Sequence, residues 1–323
     1  MVDQYGRKID YMRISVTDRC NLRCRYCMPA EGIECVDHGD ILTYEEIAAV
    51  AEAAAGLGIQ KIKITGGEPL VRKGIVGLVG MIKNIPGIQE VTMTSNGVLL
   101  KNMAADLKNA GLDAINISLD TLDRDKFKKL TRFDKFEEVF NGICAAKESG
   151  LKTKINCVPI KDFNEDEITA IASLTNQGIL VRFIEMMPMG PGKEYELIPY
   201  QMVKRKLEEV YGKSRTDKGK YGNGPAEYYS FSGLKESIGF ITAMSHEFCQ
   251  SCNRIRLTAE GELKLCLHHK GGVALKPYLR NHIAAGQLKD LLQKAIFKKP
   301  FHHCFREKKG TDTEQRNMVQ IGG

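Results

Sequence analysis

Six short β-like runs recur along the first 187 residues, and helical segments separate them. The runs lie at 11–17, 59–67, 90–97, 113–120, 151–160 and 180–187. Segments between them carry apolar residues at helical spacing and close on glycine, at 43–58, 101–111, 133–150 and 164–178. The first opens with Thr43 and Glu46, which predict a capping box. Such alternation implies parallel strands joined by right-handed crossovers. Six units are fewer than the eight of a closed barrel, which favours an α/β fold, a partial (βα)6 TIM-like barrel. A doubly wound open sheet is the alternative, and both place ligands at the carboxyl ends of the strands.

The pattern changes after residue 187, so we expect two domains, 1–187 and 188–323. The second begins with a Pro- and Gly-rich stretch, then a helix at 199–212 and a glycine-rich turn at 218–229. Short β-like pieces follow, with a hairpin at Ala259-Glu260-Gly261-Glu262. We expect a smaller, mostly antiparallel, β-rich addition, then one helix at 283–297 and a charged, mobile tail.

The composition indicates a cytoplasmic protein. The apolar share is 43%, and no run approaches the roughly 18 apolar residues of a membrane span. The N-terminal residues MVDQYGRKID lack the apolar core of a secretory signal. The net charge of +7 weakly favours an anionic partner. Aromatic residues make up 7% and form no stacking segment, so we expect neither a nucleic-acid nor a membrane partner.

Six of the ten cysteines form two tight groups, of which Cys20, Cys24 and Cys27 directly follow the first predicted strand. Cytosolic thiols stay reduced, and thiolates are soft ligands for zinc or iron–sulfur clusters. Structural zinc takes four ligands, whereas three cysteines on a 4Fe–4S cluster leave one iron open. Zinc completed by Cys35 or His38 is the alternative.

The spacing Cys20-x3-Cys24-x2-Cys27, with Tyr26 before the last cysteine, resembles the motif of the radical S-adenosylmethionine (SAM) superfamily. The stretch Gly66-Gly67-Glu68-Pro69 resembles a second motif of that family. The resemblance implies that the open iron chelates SAM and that SAM cleavage yields a 5′-deoxyadenosyl radical. It also implies four SAM contacts: Tyr26, Gly67, Ser118 and Met187.

A second group of three cysteines has the pattern Cys249-x2-Cys252-x13-Cys266. A second 4Fe–4S cluster is the favoured interpretation, and zinc completed by His268 or His269 is the alternative. Between these cysteines, two arginines share one face of a predicted strand, and further cations lie on other strands: Arg254 and Arg256, then Arg13, Lys61, Lys63 and Lys154. Such a set favours a polyphosphate substrate.

Two cysteine groups with these arginines narrow the resemblance to radical SAM enzymes that cyclise GTP in molybdenum cofactor (molybdopterin) biosynthesis. The similar stretches include RISVTDRCNLRCRYCMP (13–29) and FCQSCNRIRLTAEGELKLCL (248–267). In that family the radical abstracts the ribose 3′ hydrogen of GTP, and the carbon radical attacks guanine carbon 8. By resemblance, GTP would contact Arg13, Lys61, Lys63, Thr94, Lys154, Arg254 and Arg256.

The same resemblance assigns roles to three further residues. Arg182 would be catalytic, controlling SAM cleavage or the final reduction, and the tail residues Gly322 and Gly323 would reach into the active site. The family usually has arginine where this chain has Lys63, which keeps the charge but loses the bidentate fork.

The resemblance also implies partners: a flavodoxin- or ferredoxin-type reductant, and the downstream cyclic pyranopterin monophosphate synthase. Whether the chain forms a homodimer is left open by the sequence. Two other functions compete with GTP cyclisation, namely a radical SAM enzyme that modifies a peptide or RNA, and a non-catalytic metal-cluster regulator. SAM cleavage would separate an enzyme from a regulator.

Overall fold

The computed structural model describes residues 1–219, 221–246, 248–303 and 313–322. In this part of the chain, twelve strands form one sheet with the order β12-β11-β10-β1-β2-β3-β4-β5-β6-β9-β8-β7. The strands are β1 (Tyr11–Ser15), β2 (Lys61–Thr65), β3 (Glu90–Ser95), β4 (Ala114–Ser118), β5 (Lys152–Cys157), β6 (Leu180–Ile184), β7 (Ser214–Asp217), β8 (Glu227–Phe231), β9 (Ile238–Ile241), β10 (Arg254–Leu257), β11 (Glu262–Lys264) and β12 (Val273–Ala274). Strands β1 to β6 are parallel and lie side by side in chain order. This strand order is that of a partial barrel, because in a doubly wound sheet the order of the strands reverses at a switch point.

Each parallel strand alternates polar and apolar residues, and the two sets face opposite sides of the sheet. On β2, Ile62 and Ile64 are fully buried in the apolar core, whereas Lys63 and Thr65 line a cavity on the other face. The same alternation holds on β1, where Met12 and Ile14 face the core. The barrel interior is therefore polar, and the apolar core lies between the sheet and its helices.

The helices are α1 (Tyr44–Ala55), α2 (Ile75–Lys83), α3 (Ala104–Asn109), α4 (Arg124–Thr131), α5 (Phe136–Glu148), α6 (Ile168–Ala172), α7 (Tyr200–Tyr211), α8 (Lys276–Arg280), α9 (Ala285–Phe297) and α10 (Met318–Ile321). The predicted capping box of α1 is present: the Thr43 hydroxyl accepts from the Glu46 amide, and the Glu46 carboxylate accepts from the Thr43 amide. None of the helices in the described residues has the length and apolar composition that crossing a bilayer requires.

The C-terminal region is mostly antiparallel, as expected, because β7–β8, β8–β9, the predicted β10–β11 hairpin and β11–β12 all pair antiparallel. Two of its strands also extend the barrel sheet: β9 pairs with β6 in parallel, and β10 pairs with β1 in parallel. The sequence did not predict these two junctions, because a pairing partner far away in sequence leaves no local signal. The domain division at 187/188 stays a prediction.

Candidate functional site

Cys20, Cys24 and Cys27 lie in the loop that leaves the carboxyl end of β1, and all three line one cavity of about 360 Å³. The turn is closed by the Cys27 amide, which donates to the Cys24 carbonyl at 2.9 Å. Arg132, directly after α4, supports this loop: its Nη1 donates to the Arg23 carbonyl at 2.6 Å. The fold brings the three thiols together in one loop, as their spacing in the sequence predicts.

Gly66 and Gly67 allow the end of β2 to pack against the chain that leads into Cys20. The Gly67 amide donates to the Thr17 carbonyl at 2.7 Å, and the Glu68 amide donates to the Arg19 carbonyl at 2.8 Å. A Cβ on Gly67 would lie 2.3 Å from the Arg19 carbonyl oxygen. The lack of a side chain on Gly67 therefore allows this close approach to the cysteine loop.

Burial makes the first three thiols poor anions on their own. It raises the pKa of Cys20 to about 11 and of Cys27 to about 12, and it raises the pKa of Cys24 well above its usual range. Each thiol also faces the others, and like charges oppose a joint ionisation. A cationic metal centre removes this penalty, so the donor set fits a cluster iron.

The second group of thiols lies at the opposite end of the sheet. Cys249 and Cys252 precede β10, and the Asn253 carbonyl accepts from the Asp10 and Tyr11 amides at the start of β1. Cys266 follows the antiparallel strand β11, which returns to the same end. At about 3.3 Å per residue, the five residues of β1 separate the two ends by about 16 Å.

The electrostatics of the second group differ from those of the first. Burial raises the pKa of Cys252, but Lys299 and Arg254 outweigh burial and lower it to about 7. His268, one of the two histidines considered for zinc, lines the same cavity. This donor set also fits a metal centre held by thiolates, with cations beside it.

Between the two cysteine groups, the interior face of the barrel carries a belt of cations. Arg13 stands opposite Lys63 on β2 and opposite Arg256 on β10 in the sheet register. Thr94, on β3, lines the same cavity. The belt consists of the cavity-lining cations Arg13, Lys63, Lys154, Arg182, Arg254 and Arg256, and Lys299 lines the cavity next to the second cysteine group, outside this belt. Lys61 is the first residue of β2, and its Nζ lies 3.1 Å from Asp10 Oδ2. The sequence predicted these cations on several strands, and the structure places most of them inside the barrel.

Lys63, Lys154, Arg182 and Arg256 are buried, Arg13 and Arg254 are half-buried, and the six cations repel one another. Burial lowers the pKa of Lys63 well below its usual range, and Arg182, Arg13 and Lys154 lower it further. Burial, with Arg182, lowers the pKa of Lys154 to about 8. The pKa of Arg256 is lowered by burial and by Arg13. A polyanion binds strongly to such a set of cations, because its negative charge offsets both the cost of burying them and their mutual repulsion.

The residues predicted to contact SAM line the cavity near the first cysteine group: Tyr26, Gly67, Ser118 and Met187. The Tyr26 hydroxyl donates to Asp120 Oδ2 at 2.6 Å, and Asp120 Oδ1 accepts from the Val158 amide at 2.8 Å. Burial raises the pKa of Asp120 to about 6. Sequence reasoning missed Asp120, although it lies two residues after Ser118 at the end of the same strand.

Arg182 projects from β6 into the cation belt, and its Nε donates to Asn156 Oδ1 at 3.0 Å. Its strand neighbour on β9 is Gly239, where a Cβ would lie 2.7 Å from Arg182 Cγ. The same Cβ would lie 2.8 Å from Tyr228 Cε1. Gly239 thus leaves the space that Arg182 and Tyr228 fill, a requirement that the sequence alone did not reveal.

The end of the chain reaches this cavity, which is where the resemblance places the tail, so the part of the tail that the structure describes is packed rather than extended into solvent. Val319 and Ile321 are buried, and Met318 and Val319 line the cavity. The Gly322 carbonyl accepts a hydrogen bond of 2.6 Å from Arg256 Nη1. Gly323, the other predicted tail residue, lies outside the described residues.

Comparison with known proteins agrees with this arrangement. Residues 14–175 match the Radical SAM superfamily, and residues 179–305 match the family Molybdenum Cofactor Synthesis C. A crystal structure of Streptococcus suis SuiB bound to S-adenosylmethionine has a TM-score of 0.65 at 15% identity, over 97% of this chain and 77% of that chain. This similarity concerns the fold. The chain is a member of the radical SAM superfamily.

Curated relatives narrow the assignment. A GTP 3′,8-cyclase of Clostridium perfringens (strain 13 / Type A) is 44% identical over 324 residues, and that of Syntrophomonas wolfei is 46% identical over 328 residues. Each alignment covers 100% of both chains. Within the superfamily, the chain belongs to the GTP 3′,8-cyclase family.

Proposed function

We propose that the protein is a radical SAM GTP 3′,8-cyclase, a lyase that acts in molybdenum cofactor biosynthesis with GTP as its substrate. The observation that supports this most strongly is the cation belt, which lies in one cavity between two groups of three thiols. A nucleoside triphosphate needs a polyanion site, and a radical reaction needs its substrate close to the radical source. A regulator without turnover has no use for a buried polyanion site.

The first group (Cys20, Cys24, Cys27) would hold the 4Fe–4S cluster that binds SAM, and the second group (Cys249, Cys252, Cys266) a further 4Fe–4S cluster. When bound, these cofactors would supply a 5′-deoxyadenosyl radical that takes the ribose 3′ hydrogen of GTP. The 3′ carbon would then bond to guanine carbon 8, and one further electron from the reductant, with a proton, would give 3′,8-cyclo-7,8-dihydro-GTP.

The chain's own residues position the substrate. The belt binds the phosphates through Lys63, Lys154 and the arginines, which orients the nucleoside between the two cysteine groups. Arg182 lies in the belt, and Asn156 holds its side chain there. It is therefore the proposed catalytic residue. Gly322, held by Arg256, closes the cavity near the carboxyl ends of β1 and β2. Closure excludes water from a reactive intermediate.

The proposal is tested by an anaerobic product assay. The protein, reconstituted with iron and sulfide and reduced with dithionite, receives SAM and GTP, and products are separated by liquid chromatography with mass detection. We expect GTP-dependent 5′-deoxyadenosine and a new isomer of GTP. Deoxyadenosine without a GTP product would favour a peptide or RNA substrate, and no SAM cleavage by a fully loaded protein would exclude a radical enzyme.

Two variants separate the roles of the cysteine groups. Cys27→Ala should abolish 5′-deoxyadenosine formation, whereas Cys266→Ala should retain much SAM cleavage and lose the cyclised product. Cys144→Ala is the matched control, because Cys144 is exposed. Equal loss of both products in the two cysteine variants would contradict separate roles. The reductant of flavodoxin or ferredoxin type, a homodimer and the downstream cyclic pyranopterin monophosphate synthase remain proposals.

A further inference from the structure

Lys299 is a buried cation next to the second cysteine group. It follows α9 and has 2% of its surface exposed. Its Nζ donates to the carbonyl of Leu265, the residue before Cys266. Lys299 lines the same cavity as Cys252 and Cys266, and it lies outside the cation belt assigned to the phosphates.

Arg7 fixes the segment that carries Lys299 against the second cysteine group. Arg7 Nη1 donates to the Cys249 carbonyl at 2.9 Å and to the Phe301 carbonyl at 2.8 Å, and its Nη2 donates to the Pro300 carbonyl at 2.7 Å. Asp3 Oδ2 accepts from Arg7 Nε at 2.6 Å and holds the guanidinium in place. One side chain thus joins the Cys249 loop and the backbone next to Lys299.

A buried ammonium needs an anionic partner, because moving an isolated charge out of water costs several kcal/mol. Cys252 and Cys266 line the cavity with Lys299, and the Lys299 Nζ is held at the residue before Cys266. The second cysteine group, with the cluster it would hold, is therefore the anionic site next to this buried ammonium.

We propose that Lys299 is a positioning residue for the second cysteine triad and that its positive charge raises the reduction potential of the cluster that this triad would hold. The inference rests on the proposed assignment of Cys249, Cys252 and Cys266 as cluster ligands. A cation beside an iron–sulfur cluster stabilises the reduced state, which carries one more negative charge. Removing that cation makes reduction harder.

The experiment compares three full-length variants in a Cys27→Ala background, in which only the second cluster remains to titrate. Lys299→Gln removes the charge, Lys299→Arg keeps it, and Lys298→Gln is the control, because Lys298 is exposed and adjacent in sequence. Iron and sulfide content and the midpoint potential are measured, the latter by electron paramagnetic resonance during a redox titration. We expect a lower midpoint potential in Lys299→Gln and a potential near that of the parent in Lys299→Arg and Lys298→Gln.

Two results would overturn the proposal. The first is an unchanged midpoint potential in a fully loaded Lys299→Gln protein. The second is equal loss of iron from Lys299→Gln and Lys299→Arg, which would show that the site requires the shape of the lysine side chain and not its charge. Loss of iron from Lys299→Gln with retention in Lys299→Arg supports a requirement for charge. A separate control tests the ligand assignment: if adding Cys266→Ala to Cys27→Ala removes no further iron, the proposed function of the second triad fails independently of Lys299.

Discussion

Arg256 and Gly322 are 66 residues apart in the chain, and a hydrogen bond of 2.6 Å joins the Arg256 Nη1 to the Gly322 carbonyl. A Cβ on Gly322 would lie 2.7 Å from Ser15 Cβ and 2.8 Å from Thr65 Oγ1, and the residue has a φ of +82°. The backbone of Val319 lies beside the Cys27 thiol and partly offsets the rise in its pKa that burial causes. The end of the chain therefore contacts both the first cysteine group and the strand that follows the second.

Gly322→Ala should reduce product formation by about 100-fold, because displacement of the tail by even 1 Å disturbs the reacting geometry. The added methyl group meets backbone strain at positive φ and two close neighbours. Product and 5′-deoxyadenosine are quantified per enzyme. The control is Gly286→Ala, whose Cβ meets nothing within 4 Å. Full activity in Gly322→Ala would show that the observed position of the tail is not needed for turnover.

Lys264 and Glu314 form a buried ion pair of 2.5 Å that anchors the tail to β11. Lys264→Met should lower the free energy of unfolding by about 3 kcal/mol, near the lower end for a broken buried pair, because Arg316 still contacts Glu314 at 2.8 Å. Urea denaturation measures the change. Lys213→Met removes a pair of 4.0 Å with an exposed lysine, and should cost at most about 1 kcal/mol.

The same anchor predicts an acid dependence. Burial raises the pKa of Glu314, but hydrogen bonds from Arg316 and Lys264 outweigh it and lower the pKa from 4.5 to about 2. A depressed carboxyl pKa contributes stability above the unfolded value and loses it as the pH falls toward the folded value. Stability should therefore decline between about pH 4.5 and pH 2, and less steeply in Glu314→Gln. Parallel pH profiles for the two proteins would contradict this assignment.

Binding of GTP should weaken as the pH rises through 8. Lys154 binds phosphate as an ammonium, and its pKa in the free protein is about 8. Above that pH the protein must take up a proton to bind, so the affinity falls by up to about tenfold per pH unit. Calorimetric titration with GTP between about pH 7 and pH 9 measures this dependence.

Two variants attribute that dependence to its residue. Lys154→Met should bind GTP more weakly at pH 7 and show a flatter profile, whereas Lys152→Met should behave like the parent. Lys152 is exposed on the same strand. If the affinity of the parent protein does not change with pH, or if Lys154→Met keeps the full slope, Lys154 is not the titrating group.

The parts of the fold that sequence predicted are those with a local signal. The six parallel strands follow from period-two alternation between glycine-ended helices, and α1 follows from Thr43 and Glu46. Helix α2 was not predicted, because it has only nine residues and contains two glycines, Gly77 and Gly80, which are poor helix formers. The placement of β9 and β10 at the edges of the barrel depends on pairing with strands far away in sequence, so no local pattern predicts it.

The site was predictable to a similar extent. Cysteine spacing placed each thiol group, and the two-apart arginines of β10 were expected on one face. The burial of the belt inside the barrel, the Tyr26–Asp120 hydrogen bond and the position of Lys299 depend on tertiary contacts, which spacing does not encode. The roles of the individual site residues stay predictions until variants are measured.

Gly239→Ala tests whether the position of Arg182 matters for turnover. The new methyl group would lie 2.7 Å from Arg182 Cγ and 2.8 Å from Tyr228 Cε1, so one of the two side chains must move. Because Arg182 is held by Asn156 within the cation belt, we expect about a 100-fold loss of product. Overpacking of this kind should cost about 1–3 kcal/mol in the free energy of unfolding, so the protein should still fold and load iron.

The matched control for this prediction is Gly77→Ala, at a helical position where a Cβ meets nothing within 4 Å. Alanine there should be neutral or slightly stabilising, because glycine is a poor helix former. Product, 5′-deoxyadenosine, iron content and unfolding by urea are compared for both variants and the parent. A Gly239→Ala protein that holds its iron and forms product at the parental rate would show that Arg182 tolerates displacement, which would remove the structural basis for its proposed catalytic role.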